Sequence, residues 1–226
     1  MSAFASIWRN LDWSYITDMI LSVIPALICI TLHELSHGYV AYRLGDDTAK
    51  RMGRLTLNPL RHIDWWGLVM MVLFKFGWAK PVPVNMYSFK NPRKGMAITA
   101  LAGPVANVLI AVVFLAAYGL LYRPLYEMGN AGFTVLDMIL TTAYLSTSLA
   151  VFNLIPISPL DGSKILYSFL SDRAYDKLMR YERYGMILVM ILVVSGGLSG
   201  VLSSATGWVF DKLFYIAQFA FYLVNH

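Results

Sequence analysis

Residues 16–42 read ITDMILSVIPALICITLHELSHGYVAY, an apolar run that is interrupted near its end by His33, Glu34 and His37. A run of this length can cross the roughly 30 Å hydrocarbon core of a bilayer as a helix. Ionisable side chains are costly at such a depth, so they usually mark a functional site. The stretch therefore predicts a membrane helix that carries a functional cluster of side chains, with Pro25 as a kink.

The whole chain has the composition of a membrane protein. Of its 226 residues, 58% are hydrophobic and only 14% are charged, and the mean hydropathy is +0.59. A soluble domain usually has about a quarter of its residues charged. The net charge of +5 fits basic loops beside a membrane better than a nucleic-acid surface. We therefore expect the lipid bilayer as a partner and no nucleic acid.

Five apolar stretches are candidates for spanning helices: residues 16–42, 96–122, 133–155, 184–198 and 208–224. A further segment, residues 65–85, is interrupted by Lys75, and its Pro81 and Pro83 exclude a regular helix. We expect this segment to be a re-entrant element or a β-hairpin between the first and second core helices. The predicted fold is an all-α polytopic membrane protein with five to six transmembrane helices.

The basic residues of the loops predict the orientation of the chain. Ten Lys and Arg lie within residues 43–94 and five within 156–183, whereas residues 199–207 contain none. The positive-inside rule then places both basic loops and the C-terminus in the cytoplasm, and the N-terminus outside a cytoplasmic membrane. Because no linker or repeat is visible, we expect one membrane-embedded domain over residues 1–226. Its core would cover about residues 16–170, with two C-terminal helices at about 184–224.

The sequence His33-Glu34-Leu35-Ser36-His37 is an HExxH motif. On a helix, residues four positions apart share a face, so both imidazoles can bind one metal ion. The glutamate between them is placed to take a proton from a water that the ion activates. The motif alone also occurs by chance, but its position inside an apolar span favours the functional interpretation.

A catalytic zinc ion commonly has three protein ligands and one position for water, so a third ligand is needed. His62 lies in a basic loop and His226 is the last residue, and a solvated or interfacial position is the simpler interpretation for both. Asp161 follows Pro156 and Pro159, which must break the helix there. The predicted orientation places this break on the same membrane side as the two histidines. From the residues alone, an ordinary helix-capping role for Asp161 stays equally open.

Taken together, the motifs resemble those of the site-2 protease family of intramembrane zinc metalloproteases. They are His33-Glu34-x-x-His37 within a membrane span and Asn153-x-x-Pro156-x-x-x-Leu160-Asp161-Gly162. Residues 102–107 are similar to the small-residue motif on the family's middle core helix, and residues 77–85 to its re-entrant hairpin. The order of these motifs over about residues 16–170 also agrees with the family.

The resemblance implies a role for each matching residue. His33, His37 and Asp161 would bind one Zn²⁺ per chain, and Glu34 would be the general base. Asn153 would orient the substrate carbonyl or stabilise the oxyanion, which suits an amide donor in an apolar span. An extended substrate could add a strand to the hairpin. The residues expected to contact the substrate are Asn107, Gly77, Val82 and Val84; helix packing is the alternative for Asn107.

The function implied by the resemblance is that of a zinc metalloendopeptidase. It would hydrolyse peptide bonds within or near transmembrane segments of a membrane-protein or peptide substrate, with the active-site mouth on the cytoplasmic side. A membrane zinc transporter and an inactive scaffold that binds membrane helices stay open as alternatives. In contrast to many family members, the chain shows no PDZ or CBS domain. The sequence therefore predicts neither the substrate's identity nor the oligomeric state.

Overall fold

The computed structural model describes residues 13–67, 79–170 and 172–225, and these residues are mainly helical. No strand occurs among them; Ile63 and Ala79 form an isolated antiparallel bridge. The predicted all-α class is confirmed. The helices are α1 (Trp13–Arg43), α2 (Thr48–Arg51), α3 (Pro92–Glu127), α4 (Asn130–Asn153), α5 (Asp161–Tyr167), α6 (Asp172–Val194) and α7 (Ser199–Asn225), with 3₁₀ turns at Pro59–Arg61 and Met86–Ser88.

Three of the described helices are long and apolar enough to cross a membrane: α1 from Val23 onward, α3 and α4. The apolar part of α6, Tyr184–Val194, passes this test only together with α7, to which it is joined at an 85° bend. This part is roughly 16 Å long at the helical rise of 1.5 Å per residue, about half of the hydrocarbon thickness. The predicted number of five to six spans is therefore not confirmed.

The expected re-entrant element is only partly described. Its central residues, 68–78, lie outside the described residues, so the interpretation of this segment stays a prediction. The residues that follow, Lys80–Asn85, are free of helix and strand. We call residues 80–85 the strap, because they lie against α1 beside Glu34. The N–H of Val82 in this strap donates to the Glu34 carboxylate.

Helix α3 lies at the centre of the bundle, in contact with α1, α4, α5 and α7. Small residues allow these close approaches: a Cβ atom at Gly119 of α3 would collide with the carbonyl of Ala217 in α7. Next to this crossing, Leu115, Ala143 and Ala217 form a buried cluster. Small interfacial residues are typical of helix packing in membranes, where backbones gain van der Waals contact by approaching closely.

The chain between α4 and α5 forms the predicted break. Helix α4 ends at Asn153, and α5 begins at Asp161 with Leu160 as its N-cap residue. A Cβ atom at Gly162 would collide with the carbonyl oxygen of Leu154. Glycine is therefore required for the chain to fold back against the end of α4, and this fold-back brings Asp161 towards α1.

Candidate metal centre

Three predicted metal ligands converge at one point. His33 and His37 lie one turn apart on α1, and their Nε2 atoms are 3.0 Å apart. The Oδ2 atom of Asp161 lies 3.3 Å from Nε2 of His33 and 3.1 Å from Nε2 of His37. Each of the three residues is only 8% exposed. The fold-back at Gly162 thus brings a residue of α5 into contact with two residues of α1.

The geometry of these three atoms fits a zinc ion. In a tetrahedral site with metal–ligand distances of about 2.0–2.1 Å, two ligand atoms lie about 3.3 Å apart. The observed separations are 3.0 Å, 3.3 Å and 3.1 Å. Three electron-pair donors at such distances repel one another unless a cation or a proton lies between them. Two imidazoles and one carboxylate also leave the fourth position of a tetrahedron open, as catalytic zinc requires.

Helix α3 supports the outer side of both imidazoles. Nδ1 of His37 is 2.7 Å from the carbonyl oxygen of Thr99, and Nδ1 of His33 is 3.1 Å from the side-chain nitrogen of Asn107. Between them lies Gly103, where a Cβ atom would collide with both imidazole rings. The three residues are spaced by four along α3 and so share one face.

The contacts made by Thr99 and Gly103 were not predicted from the sequence. Gly103 belongs to the recognised small-residue motif, and the spacing of four from Gly103 to Asn107 was the available signal. Thr99 contributes a main-chain carbonyl, which every residue type possesses, so no sequence signal marks it.

Glu34 lies between His33 and His37 in the chain, and its side chain contacts the strap. Its Oε2 atom accepts the N–H of Val82 at 2.8 Å. The side chain of Val82 is 8% exposed and packs over Gly38, where an added Cβ atom would lie 3.0 Å from Cγ1 of Val82. The predicted base is therefore held by a main-chain donor at the edge of the centre.

The strap is fixed at both ends by polar contacts. At its start, the N–H of Lys80 donates to the carbonyl of His62 at 2.9 Å, and the guanidinium of Arg54 donates to the carbonyl of Lys80 at 2.7 Å. At its end, the N–H of Asn85 donates to Oδ2 of Asp46 at 2.6 Å. Pro81 and Pro83 have no N–H, so within the strap only residues 80, 82, 84 and 85 can donate.

His62 lies at the base of the strap, and its predicted solvated position is wrong. It is 1% exposed, and its Nε2 atom is 2.9 Å from the carbonyl of Thr56. The basic residues around it suggested an exposed loop, but this loop folds onto the strap and buries the ring.

Two charged residues that anchor the strap are buried. Arg54 is 6% exposed and Asp46 is fully buried. Burial lowers the pKa of Arg54, and the negative charge of Glu34 opposes this effect. Burial by itself raises the pKa of Asp46, but hydrogen bonds from Thr48 and from the Asn85 N–H outweigh it, so the pKa lies below its ordinary value. Both groups therefore keep their charge near neutral pH.

The other predicted site residues that the structure describes lie at the end of α4, in the strap and on α3. Asn153 is the last residue of α4, and its amide donates to the carbonyl of Leu149 at 3.0 Å. Val82 and Val84 are in the strap, and Gly77 lies outside the described residues. The side chain of Asn107 is fully buried and contacts His33. Substrate contact stays a prediction for Asn107, Gly77, Val82 and Val84. The catalytic role of Asn153 stays a prediction as well.

Comparison with known proteins places the chain among metalloproteases. The sequence profile of peptidase family M50 matches residues 125–196, a stretch that includes Asp161. A Bacillus subtilis protein named "Putative zinc metalloprotease YwhC" is 41% identical over 180 residues, which is 76% of this chain and 80% of that protein. Proteins named "Putative zinc metalloprotease Rip2" are 29% identical in Mycolicibacterium smegmatis, over 88% of this chain and 76% of the relative. The Mycobacterium tuberculosis Rip2 is 30% identical, over 82% of this chain and 71% of the relative. No solved structure matches the chain.

Proposed function

This chain belongs to peptidase family M50, as its resemblance to the site-2 proteases implies, and we propose that it is a zinc endopeptidase that cleaves within or near transmembrane segments. The coarser conclusion, a membrane zinc metalloprotease, follows from the family, the relatives and the apolar helices. The proposal adds the place of cleavage and the kind of substrate, a membrane protein or peptide.

One observation carries the proposal: two of the three ligands, His33 and His37, and the neighbouring carboxylate of Glu34 lie inside the apolar helix α1. His33 is ten residues before Arg43, the last residue of α1, which corresponds to about 15 Å along a helix. The Nε2 atoms of both histidines and Oδ2 of Asp161 lie within 3.3 Å of one another. A hydrolytic centre at this depth would act on peptide bonds that lie in or beside the bilayer.

Each residue of the centre has a chemical task in this proposal. A zinc ion bound by His33, His37 and Asp161 would polarise the scissile carbonyl and lower the pKa of a water to about 7. Glu34 would accept the proton of the attacking water and deliver it to the leaving amine. Asn153 would donate to the developing oxyanion with the second N–H of its amide, since one N–H donates to the carbonyl of Leu149.

The strap would select an extended substrate. A helical segment hides its carbonyls in hydrogen bonds, so it must unwind before its peptide bond can be attacked. Residues 81 and 83 of an extended strap share one edge, and as prolines they offer carbonyls but no N–H there. A substrate strand on that edge would therefore have to donate its own N–H groups.

The proposal includes the topology that the loop charges predict. The chain would be one multi-pass domain of the cytoplasmic membrane with five to six spans, and residues 65–85 would be re-entrant. The N-terminus would be outside, and the mouth of the site would open to the cytoplasm. Labelling of single introduced cysteines with a membrane-impermeant reagent tests this directly, because the chain's own Cys29 is buried. Labelling of residue 199–207 variants from the cytoplasmic side only would contradict the orientation.

The variant Glu34→Gln tests the chemistry. Glutamine keeps a side-chain oxygen that can accept the Val82 N–H, but it cannot take a proton. We expect zinc content to be unchanged and cleavage of a transmembrane model substrate in proteoliposomes to fall by about 10²–10⁴-fold. The exposed Glu127, which pairs with Arg123 at 3.3 Å, provides the matched control Glu127→Gln with full activity. Full cleavage by Glu34→Gln would refute the proposed mechanism.

A further inference from the structure

The two zinc-binding imidazoles are supported on their outer sides by different kinds of group. Behind His37 is a main-chain carbonyl, that of Thr99 at 2.7 Å from Nδ1. Behind His33 is a side chain, the amide of Asn107 at 3.1 Å from Nδ1. A main-chain carbonyl is present whatever the residue type, whereas the second support depends on the identity of residue 107.

We propose that Asn107 is a positioning residue of the zinc site, and that its amide oxygen holds the imidazole of His33 in the orientation that binds the ion. The proposal rests on the zinc site described above, and it gives Asn107 a role in holding the metal instead of contacting the substrate. Asn107 itself is not a zinc ligand.

The chemistry of imidazole requires an acceptor at this place. When Nε2 binds a metal ion, Nδ1 carries the hydrogen and needs an acceptor, which in zinc sites is usually a carboxylate, a carbonyl or a water. Oδ1 of Asn107 is buried without a hydrogen-bond partner among the described residues. A half-turn of the amide exchanges its oxygen and nitrogen at the same place and brings Oδ1 to His33 Nδ1. The same side chain can thus donate to a metal-free imidazole and accept from a metal-bound one.

The surroundings of Asn107 fix its position. The hydroxyl of Ser146 in α4 donates to the main-chain carbonyl of Asn107 at 2.8 Å, and the side chain is fully buried. One turn earlier, Gly103 lets both imidazoles approach α3 closely. A buried amide in an apolar helix is costly unless it is hydrogen-bonded, and the group next to it is His33. The arrangement suits a support for the ligand better than a contact with substrate.

The test is zinc affinity of the purified full-length chain, measured by competition with a chromophoric chelator. Asn107→Leu has the same branching and number of side-chain heavy atoms but no acceptor, and we expect 10–100-fold weaker binding, as for the loss of other supporting hydrogen bonds in zinc sites. Asn107→Asp keeps an oxygen at the same place, and we expect affinity within a few fold of the parent or tighter. Cobalt substitution supplies a second readout, because the visible spectrum reports ligand geometry. It should change in Asn107→Leu and be restored in Asn107→Asp.

Two control variants separate positioning from packing. Thr142→Val removes a partly buried hydrogen bond to the carbonyl of Met138 within α4. Thr147→Val removes a buried hydrogen bond to the carbonyl of Ala143 in the same helix, and neither hydrogen bond involves a zinc ligand or its support. Both should bind zinc like the parent. If Asn107→Leu cannot be recovered folded, Asn107→Ala is compared with Asn107→Asp in the same way.

Two outcomes would overturn the inference: parental zinc affinity in Asn107→Leu, or an equal loss in the Leu and Asp variants, which would indicate packing alone. The readout does not depend on proteolysis. A parent chain that binds zinc as described and cleaves no substrate would refute the proposed function and leave the role of Asn107 standing.

Discussion

The metal centre and the strap are neighbours that share Glu34, yet they are held in place in different ways. The centre consists of side chains on helices: two imidazoles of α1, the first residue of α5 and the supporting face of α3. The strap contains no helix or strand, and its anchors are single hydrogen bonds between its main-chain groups and the side chains of Glu34, Arg54 and Asp46.

This difference suits the two regions to different tasks, metal binding for the centre and substrate contact for the strap. Groups that bind a metal ion need fixed geometry, which packed helices provide, whereas in the proposed function the strap would meet an unwound substrate and would need unpaired edges and some freedom. We therefore expect substitutions in the centre to abolish metal binding, and substitutions at the anchors of the strap to reduce activity while zinc stays bound.

The largest effect is expected for Asp161→Ala. Removal of one of three protein ligands should lower zinc affinity by at least 100-fold and abolish cleavage. The strap should stay in place, because none of its anchors involves residue 161. Metal analysis of the purified variant checks the first part, and limited proteolysis near residue 80 the second. Stoichiometric zinc in Asp161→Ala would exclude this residue as a ligand.

Substitutions at Gly103 and Gly38 test whether the metal centre and the strap can be disturbed separately. A Cβ atom at Gly103 would collide with two rigid imidazole rings, so Gly103→Ala should displace them and weaken zinc binding about tenfold or more. At Gly38 the nearest atom to such a Cβ is Cδ2 of Leu55 at 2.7 Å, the end of a flexible side chain, followed by Val82 Cγ1 at 3.0 Å. Gly38→Ala should therefore disturb the strap and spare the metal. Equal zinc loss in both variants would show that the two regions are not separable.

Arg54→Gln should loosen the strap at its start. The variant loses a charge-assisted hydrogen bond to the Lys80 carbonyl, worth about 1.5–3 kcal/mol, and we expect a roughly tenfold lower kcat/KM with unchanged zinc content. Arg51→Gln is the matched control, because the Arg51 side chain is 76% exposed and pairs with Asp47. If zinc were lost from Arg54→Gln, the strap would have to be counted as part of the metal site.

The smallest effect on the strap is expected for Asp46→Asn, which keeps one oxygen that can accept from the Asn85 N–H and gives up the acceptor for the Thr48 N–H on the other side. Because the pKa of Asp46 is lowered from its ordinary 3.8, its stabilisation is fully present above that value. It is lost only as the pH falls through the lowered pKa. Kinetic assays between about pH 6 and 8 should thus show a constant ratio, within a few fold, between the parent and the variant. A ratio that changed with pH in this range would mean that Asp46 titrates there.

Much of the centre could be predicted because its signals are local. The spacing of His33 and His37 follows from helical geometry, and the prolines before Asp161 fix the break that displays its carboxylate. The packing of Asn107 against His33 could not be predicted in the same way, since the two residues are 74 positions apart in the chain. The sequence indicated that Asn107 belonged to a motif, but not that its side chain would contact His33.

The number of membrane spans was predicted less well than the helices themselves. Apolar composition identified residues 184–198 and 208–224 as helical, but α6 ends at Val194 and α7 already begins at Ser199, so residues 199–207 are helical and not the expected loop. Composition did not predict the 85° bend between α6 and α7, because neighbouring helices of similar composition can meet at many different angles. The burial of His62 is a similar case: the charges around it are a local property, whereas its contact with the strap is not.

By itself, the sequence determined that this is a helical membrane protein with an HExxH helix, a proline-broken acidic motif and the zinc chemistry that they imply. Only the tertiary structure decided what lies against these residues: the carbonyl of Thr99, the space at Gly103, the amide of Asn107 and the strap on Glu34. The physical reason is that residue type specifies side-chain chemistry and helical period. Main-chain acceptors and close approaches arise only when distant helices pack together.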